Sequence, residues 1–332
     1  MTIHATECVL RMLHEEEHDL ESYQGSIPRW CNGCGDNAVL ASLQRLCRDE
    51  KLRPEKTVFV SGIGCASRLP HYMKTYGFHG IHGRALPIAE GIKMMRPDLH
   101  VFVATGDGDC CSIGAAHWIH AIRYNMNMTL VLHDNHIYGL TKMQASPTTP
   151  KGLKSKTTPR GAYLEALNPL TVTLGVQNVS FVAQAVDWIP EAMYKIFSAA
   201  FHHRGFSFVR VIQRCPEFMP GSLDPWVRDP QRNLILTHEN GIELGSGLAR
   251  TYKNQVVHDP SDLERARAVA SSEDPIPVGI LYRNPDVPRY EETRRPPVLR
   301  TAVGVREAIE TEFDKFTVWP QDERSETGRP AH

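Results

Sequence analysis

Four short runs of β-branched and aromatic residues constrain the fold of this chain more than any other feature. Thr57-Val58-Phe59-Val60, His100-Val101-Phe102-Val103, Met128-Thr129-Leu130-Val131-Leu132 and Phe206-Ser207-Phe208-Val209-Arg210-Val211-Ile212 are almost continuously apolar rather than alternating. A strand of that kind is covered on both faces, since a face open to water would call for a polar side chain at every second position. Between the runs lie segments with helical spacing, Asn37 to Cys47, Leu86 to Met95, Ile113 to Tyr124 and Trp188 to His203. Strands separated by helices return by crossovers, and crossovers give a parallel sheet with helices on both faces. The fold class expected is therefore α/β, a doubly wound parallel sheet. Ligands of such sheets sit at the carboxyl ends of the strands.

Two regions depart from this rhythm. Gln144 to Gly161 is rich in Pro, Thr, Lys and Gly and reads as a loop, one that could order over a ligand or against a partner. After Cys215 the composition is irregular; Ile276 to Tyr282 reads as an added strand, and Val305, Ala308, Ile309, Phe313 and Phe316 give one face of a late helix. With roughly 150 residues per domain as a prior, the 332 residues divide into an N-terminal segment (1–25), an α/β domain (26–219), an extension (220–319) and a tail expected to be disordered (320–332). The 37 Lys and Arg against 38 Asp and Glu leave a formal net charge of −1, so no global field recruits nucleic acid or an anionic membrane. No apolar run approaches the roughly 18 to 20 residues of a membrane span, and the first residues carry acids where a secretory signal would be basic. The chain reads as a cytoplasmic protein. Its eight cysteines are too few to staple so long a fold and are available as thiols for metal.

The chemistry concentrates at strand exits. The run from His100 leads into Ala104-Thr105-Gly106-Asp107-Gly108-Asp109, and the run from Met128 leads into His133-Asp134-Asn135-His136-Ile137-Tyr138-Gly139. Neighbouring parallel strands end on the same edge, so Asp107 and Asn135 can converge. Glycines on both sides of Asp107 let the backbone approach a phosphate, and a carboxylate with an amide oxygen suits Mg²⁺ held between protein and phosphate. A Gly-Asp-Gly triplet alone occurs in many turns; paired with a strand-exit Asn it resembles the thiamine diphosphate-binding motif. That resemblance implies Mg²⁺ on Asp107, Asn135 and the backbone oxygen of Ile137.

Cys31-Asn32-Gly33-Cys34-Gly35 holds a Cys-x-x-Cys pair on a tight loop. Alone it could serve zinc, a redox disulfide or a cluster. Cys65 follows the first strand and Cys215 the last of the four, so both belong at the same sheet edge. The segments WCNGCG, SGIGCASRLP, HGRALPIAEGIK, GDGD and DNHIYGLTKMQASPT, in that order, resemble the β subunit of 2-oxoacid:ferredoxin oxidoreductases, the 2-oxoglutarate type above all. The likeness runs from about Ser26 to Cys215 and resumes at HDPSD and DPIPVGILYRNP.

The resemblance implies a [4Fe–4S] cluster on Cys31, Cys34, Cys65 and Cys215, and further thiamine diphosphate contacts at Ile63, Gly64, Cys65, Ala66, His82, Gly108, Asp109, Gly139 and Leu140. The activity implied is coenzyme A-dependent oxidative decarboxylation of a 2-oxoacid, 2-oxoglutarate first, to acyl-CoA (succinyl-CoA) and CO₂. Electrons pass through the cluster to ferredoxin, and the reaction can run in reverse as reductive carboxylation. It further implies an α subunit in an (αβ)₂ heterotetramer, with the C-terminal extension packing on both the domain and that partner. The carboxylic acid that serves the cofactor belongs to the α subunit in this family, so no catalytic acid is assigned; Glu90, within a helical stretch, reads as structural. His82 is either a donor to the diphosphate or a core histidine. Lys142, where pyruvate-type relatives carry small residues, could pair with a substrate carboxylate or remain solvated in a mobile loop, and His136 is a weaker polar contact. Cys8, Cys47, Cys110 and Cys111 read as small buried apolar groups. The alternatives are a pyruvate or broad-specificity member, a non-oxidative thiamine diphosphate lyase, which would need no cluster, and a zinc- or cluster-bearing assembly subunit, which would need no Asp107/Asn135 pair.

Overall fold

A computed structural model of the chain describes residues 18–294, 310–311 and 313–315. The four apolar runs are strands β1 (Thr57–Ser61), β3 (His100–Gly106), β4 (Met128–Asp134) and β8 (Phe206–Ile212). Every residue of β1 and β4 is buried, as continuous apolarity requires. The helical segments are α1 (Asp36–Asp49), α2 (Ala85–Met95), α3 (Ala115–Tyr124) and, beyond α4 (Pro169–Gly175), α5 (Pro190–His202). Pro190 opens α5 at a position where a missing N–H costs nothing. A short π turn, Asp109–Ile113, precedes α3 and tightens the exit from β3. The sheet separates two apolar layers: α1 and α5 pack on one face, with Leu43, Leu46, Ile196 and Phe197, and α2, α3 and α4 on the other, with Leu86, Trp118 and Leu170.

Five strands were not legible as such: β2 (Tyr76–His79), the two-residue β5 (Ile137–Tyr138) and β6 (Gln144–Ala145), β7 (Phe181–Val186), and β9 (Asn233–Thr237); the three-residue β10 (Gln255–Val257) makes a sixth. With β11 (Ile276–Arg283), nine strands form one sheet in the order β10-β9-β11-β7-β8-β4-β3-β1-β2, while β5 and β6 pair separately. The six strands β1, β2, β3, β4, β7 and β8 run parallel. Next to β7 the direction reverses: β11 is antiparallel to β7, and β9 and β10 run parallel to β11. The sheet thus continues through residue 219 into the extension, and one compact unit reaches to Thr293. The expected late helix lies mostly outside the described residues, as do the tail 320–332 and Cys8. Among the described residues no helix is long and apolar enough to cross a membrane.

Candidate active site

Within the parallel block β3 and β4 are neighbours, with Gly106 opposite His133, so their exits open on one edge. Beyond that edge lies a cavity of about 480 Å³. Its wall is built from the β1 exit (Ile63, Gly64, Cys65, Ala66), His82, the β3 exit (Gly106, Asp107, Gly108, Asp109) and the β4 exit (His133, Asn135, Ile137, Tyr138, Gly139, Leu140, Thr141, Gln144). All the residues that sequence reasoning assigned to thiamine diphosphate and to Mg²⁺ meet in this one wall.

Close packing explains two of its glycines. A Cβ on Gly108 would stand 2.1 Å from the Tyr138 ring, whose hydroxyl donates to the Gly108 carbonyl at 2.9 Å. A Cβ on Gly62 would meet Asp109 Oδ2 at 2.0 Å. Asp109 is committed internally: Oδ1 accepts from the Gly83 N–H at 2.6 Å and Oδ2 from the Thr105 hydroxyl at 2.7 Å, with His82 Nδ1 2.8 Å from Oδ1. Asp109 therefore ties the His82–Gly83 turn to the strand exit. At Gly106, where a Cβ would meet nothing nearer than the His133 carbonyl at 3.9 Å, the side-chain-free backbone leading into a helical turn leaves room for a phosphate.

Asp107 and Asp134 stand on either side of one hydroxyl. Thr148 Oγ1 lies 2.7 Å from Asp107 Oδ2 and 2.8 Å from Asp134 Oδ1. Arg210, on β8 beside β4, places Nε and Nη2 each 2.7 Å from Asp134 Oδ2. Burial, followed by the charge of Asp134, pushes the Asp107 carboxyl up to about 7. Burial acts the same way on Asp134, and more strongly than any other single cause, but the Arg210 guanidinium, His136 and the Thr148 hydroxyl together outweigh it and hold that carboxyl below the usual range. Asp107 is thus a buried carboxylate with its charge poorly countered, which is what a cation relieves. Asn135, whose Oδ1 accepts the Ile137 N–H at 3.2 Å, and Ile137 itself lie in the same wall, so the oxygens these residues can offer are hard donors suited to Mg²⁺.

The thiols collect at the other end. Trp30 Nε1 donates to the Cys65 carbonyl at 2.8 Å, and the Gly35 N–H donates to the Arg214 carbonyl at 3.1 Å, so the Cys31–Cys34 loop is tied to the exits of both β1 and β8. A Cβ on Gly139 would lie 3.5 Å from Cys65 Sγ and 3.9 Å from Cys215 Sγ. Burial, the charge of Asp36 and then those of Cys215 and Cys31 push the Cys65 thiol up to about 12. Burial, then Asp36, also push Cys34 far up, and the Gln213 amide donates to its sulfur at 3.2 Å. Four thiols within one another's fields fit a cationic cluster. Cys47, Cys110 and Cys111 are buried in the apolar layers.

Three residues lie elsewhere. Lys142 is exposed, in a left-handed conformation (φ +70°), outside the cavity wall. His136 faces a second cavity of about 360 Å³ together with Thr148, Gln184 and Arg210. Glu90 is on α2 with Oε1 buried and without a hydrogen-bond partner, away from the wall. Sequence reasoning missed Thr148, Asp134 and Arg210. It also missed His133, whose Nδ1 lies 2.6 Å from the buried Asp36 Oδ1, and Arg68, which with His71 and His79 lines a shallow hollow sharing Ile63, Gly64 and Leu140 with the main cavity. The one available signal was the Ser-Pro-Thr-Thr-Pro sequence, whose hydroxyls are costly to bury unless they serve a partner.

Residues 62–211 match the family "Thiamine pyrophosphate enzyme, C-terminal TPP binding domain", and residues 249–296 match the family formed by the C-terminal part of the pyruvate ferredoxin oxidoreductase beta subunit. The chain is 43% identical over 224 residues to the 2-oxoglutarate oxidoreductase subunit KorB of Mycobacterium tuberculosis, an alignment covering 68% of this chain and 60% of that protein's length. It is 37% identical to the 2-oxoacid:ferredoxin oxidoreductase 1, subunit beta, of Aeropyrum pernix, covering 79% of this chain and 80% of the relative. Among solved structures, the 2-oxoglutarate:ferredoxin oxidoreductase from Magnetococcus marinus with 2-oxoglutarate, coenzyme A and succinyl-CoA bound aligns with a TM-score of 0.74 at 30% identity, covering 96% of this chain and 98% of that one.

Proposed function

Because the chain belongs to the family of 2-oxoacid:ferredoxin oxidoreductase β subunits, we propose that with an α subunit it carries out coenzyme A-dependent oxidative decarboxylation of 2-oxoglutarate, passing electrons to ferredoxin. The observation that carries this reading is the double membership of Cys65. It lines the cavity that holds Asp107 and Asn135, and it belongs to the thiol group with Cys31, Cys34 and Cys215. A carbon-centred cofactor site and a one-electron acceptor site thereby share a residue, as oxidative decarboxylation needs and a lyase does not. When bound, thiamine diphosphate supplies a nucleophilic carbon that can take up and release an electron pair, and a [4Fe–4S] cluster accepts electrons singly.

The residues of this chain divide the remaining work. Asp107, the Asn135 amide and the Ile137 carbonyl hold Mg²⁺ against the diphosphate, and the glycine backbone at 106 and 108 receives its oxygens. His82, braced by Asp109, stands at the same wall. Cys31, Cys34, Cys65 and Cys215 hold the cluster. The carboxylic acid for the cofactor's aminopyrimidine comes from the partner in a cytoplasmic (αβ)₂ assembly. For the distal carboxylate of 2-oxoglutarate the chain offers two cations, Arg68 in the hollow beside the mouth and Lys142 farther out.

The test is the anaerobically purified complex. It should show a broad, oxygen-labile brown absorption and reduce ferredoxin with 2-oxoglutarate only when coenzyme A is present. A colourless complex that decarboxylates without an acceptor would replace this reading with the lyase.

A further inference from the structure

Thr148 belongs to a loop outside the sheet, yet it is 2% exposed and its hydroxyl reaches two buried carboxylates at once. A hydroxyl has one proton to give, so it can donate to only one of them. The surroundings decide which. Asp134 has donors of its own: Arg210 Nε and Nη2 on Oδ2, and the His136 N–H at 3.2 Å on Oδ1. Asp107 also receives the Ser146 hydroxyl and the Gly108 N–H, but it carries the ligand role in the reading above and, among the described residues, has no cationic side chain comparable to Arg210 against it. We propose that Thr148 is the positioning residue of the metal site: its hydroxyl donates to Asp107 Oδ2, fixing the carboxylate so that Oδ1 is the oxygen presented to Mg²⁺.

This inference rests on Asp107 being a metal ligand and adds the group that aims it. A hydrogen-bond partner behind a ligating carboxylate sets its orientation, and its loss costs about ten- to a hundredfold in metal affinity. The adjacent second cavity bears on the choice of variant. Thr148 lines it, so shortening the side chain to Ala opens a polar space that a water could enter and so restore the bond. Thr148→Val keeps the volume and removes only the donor.

The experiment uses the full complex, stripped of cofactors and held at saturating thiamine diphosphate. Mn²⁺, standing in for Mg²⁺, is titrated and the free ion read by electron paramagnetic resonance, independently of turnover. Thr148→Val should weaken Mn²⁺ binding by about ten- to a hundredfold, and Thr148→Ser should recover most of the loss. Wild-type affinity in Thr148→Val overturns the inference, as does a Thr148→Ser variant as weak as Thr148→Val, which would make the methyl group the cause. Should melting of the stripped complex show that the valine is not accommodated, Thr148→Cys, which keeps the bulk and leaves only a weak S–H donor, takes its place against Thr148→Ser. Asp107→Asn separates the two levels. If it binds Mn²⁺ normally, the metal-site reading falls and takes this inference with it; if it fails while Thr148→Val binds normally, the inference alone falls.

Discussion

At one end of the cavity wall Asp107 sits in a frame that is complete in protein alone, with Thr148 behind it, Asp134 behind Thr148 and the Arg210 guanidinium behind both. At the other end four thiols come from three separated segments and face one another, and the Arg68 charge only partly offsets the burial of Cys65. Cys215 is helped by backbone N–H groups of Phe218, Met219 and Glu217, but burial still leaves its thiol raised. The difference teaches where each end gets its order. The carboxylate end is oriented by hydrogen bonds made before any ligand arrives, although the Asp107 charge still calls for a cation, whereas the thiol end relies on what it binds for most of its positioning as well as to offset burial. The two ends should then fail independently, although Cys65 belongs to both.

The largest effect is expected from Cys215→Ser. A cluster losing one of four thiolates becomes labile or changes type, so iron content should collapse and ferredoxin reduction cease, while calorimetry shows thiamine diphosphate still bound. Joint loss of cofactor and iron would mean that the ends are one unit. Asp107→Ala is the converse. Thiamine diphosphate affinity should fall by at least about a hundredfold, beyond the usual cost of an outer hydrogen-bond partner, with iron and the reduced-state paramagnetic signal unchanged. Unaltered cofactor retention in calorimetry would remove Asp107 from the site.

A smaller effect separates the two cations near the mouth. A charge-assisted hydrogen bond to the distal carboxylate contributes roughly 1.5 to 3 kcal/mol, or about ten- to a hundredfold in discrimination. If Arg68 makes it, Arg68→Ala lowers kcat/KM for 2-oxoglutarate by that factor relative to pyruvate, and Lys142→Ala changes the ratio little. The reverse ranking would return the role to Lys142, and equal losses on both substrates would assign the residue to the carboxylate that all 2-oxoacids share. The smallest effect belongs to Cys111→Ser. This thiol lies in the apolar layer with Cys110 and Trp118, so the variant should keep its iron and lose about 1 to 3 kcal/mol of stability for the buried hydroxyl, read as a lower melting temperature. Loss of iron would place Cys111 in the thiol group.

The sequence by itself determined four of the six strands of the parallel block and its working edge. Continuous apolarity marks a doubly covered strand, helical spacing marks a crossover, and both signals are local, so β1, β3, β4, β8 and the helices between them could be read from short windows. The motif residues Asp107, Asn135, Cys31, Cys34, Cys65 and Cys215 were legible for the same reason, each sitting just beyond such a strand or on a tight loop. Only the tertiary structure decided the reversal at β11, because a strand buried on both faces has the same pattern whichever way it runs. The three-residue β10 was likewise too brief to show a period. The carboxylate frame too was decided by packing. Thr148 meets Asp107 from 41 residues away, and Arg210 meets Asp134 from 76. A threonine in a proline-rich loop and an arginine inside an apolar strand have no sequence signal that names a partner; that choice is made when the loop closes over the sheet edge and adjacent strands set their register.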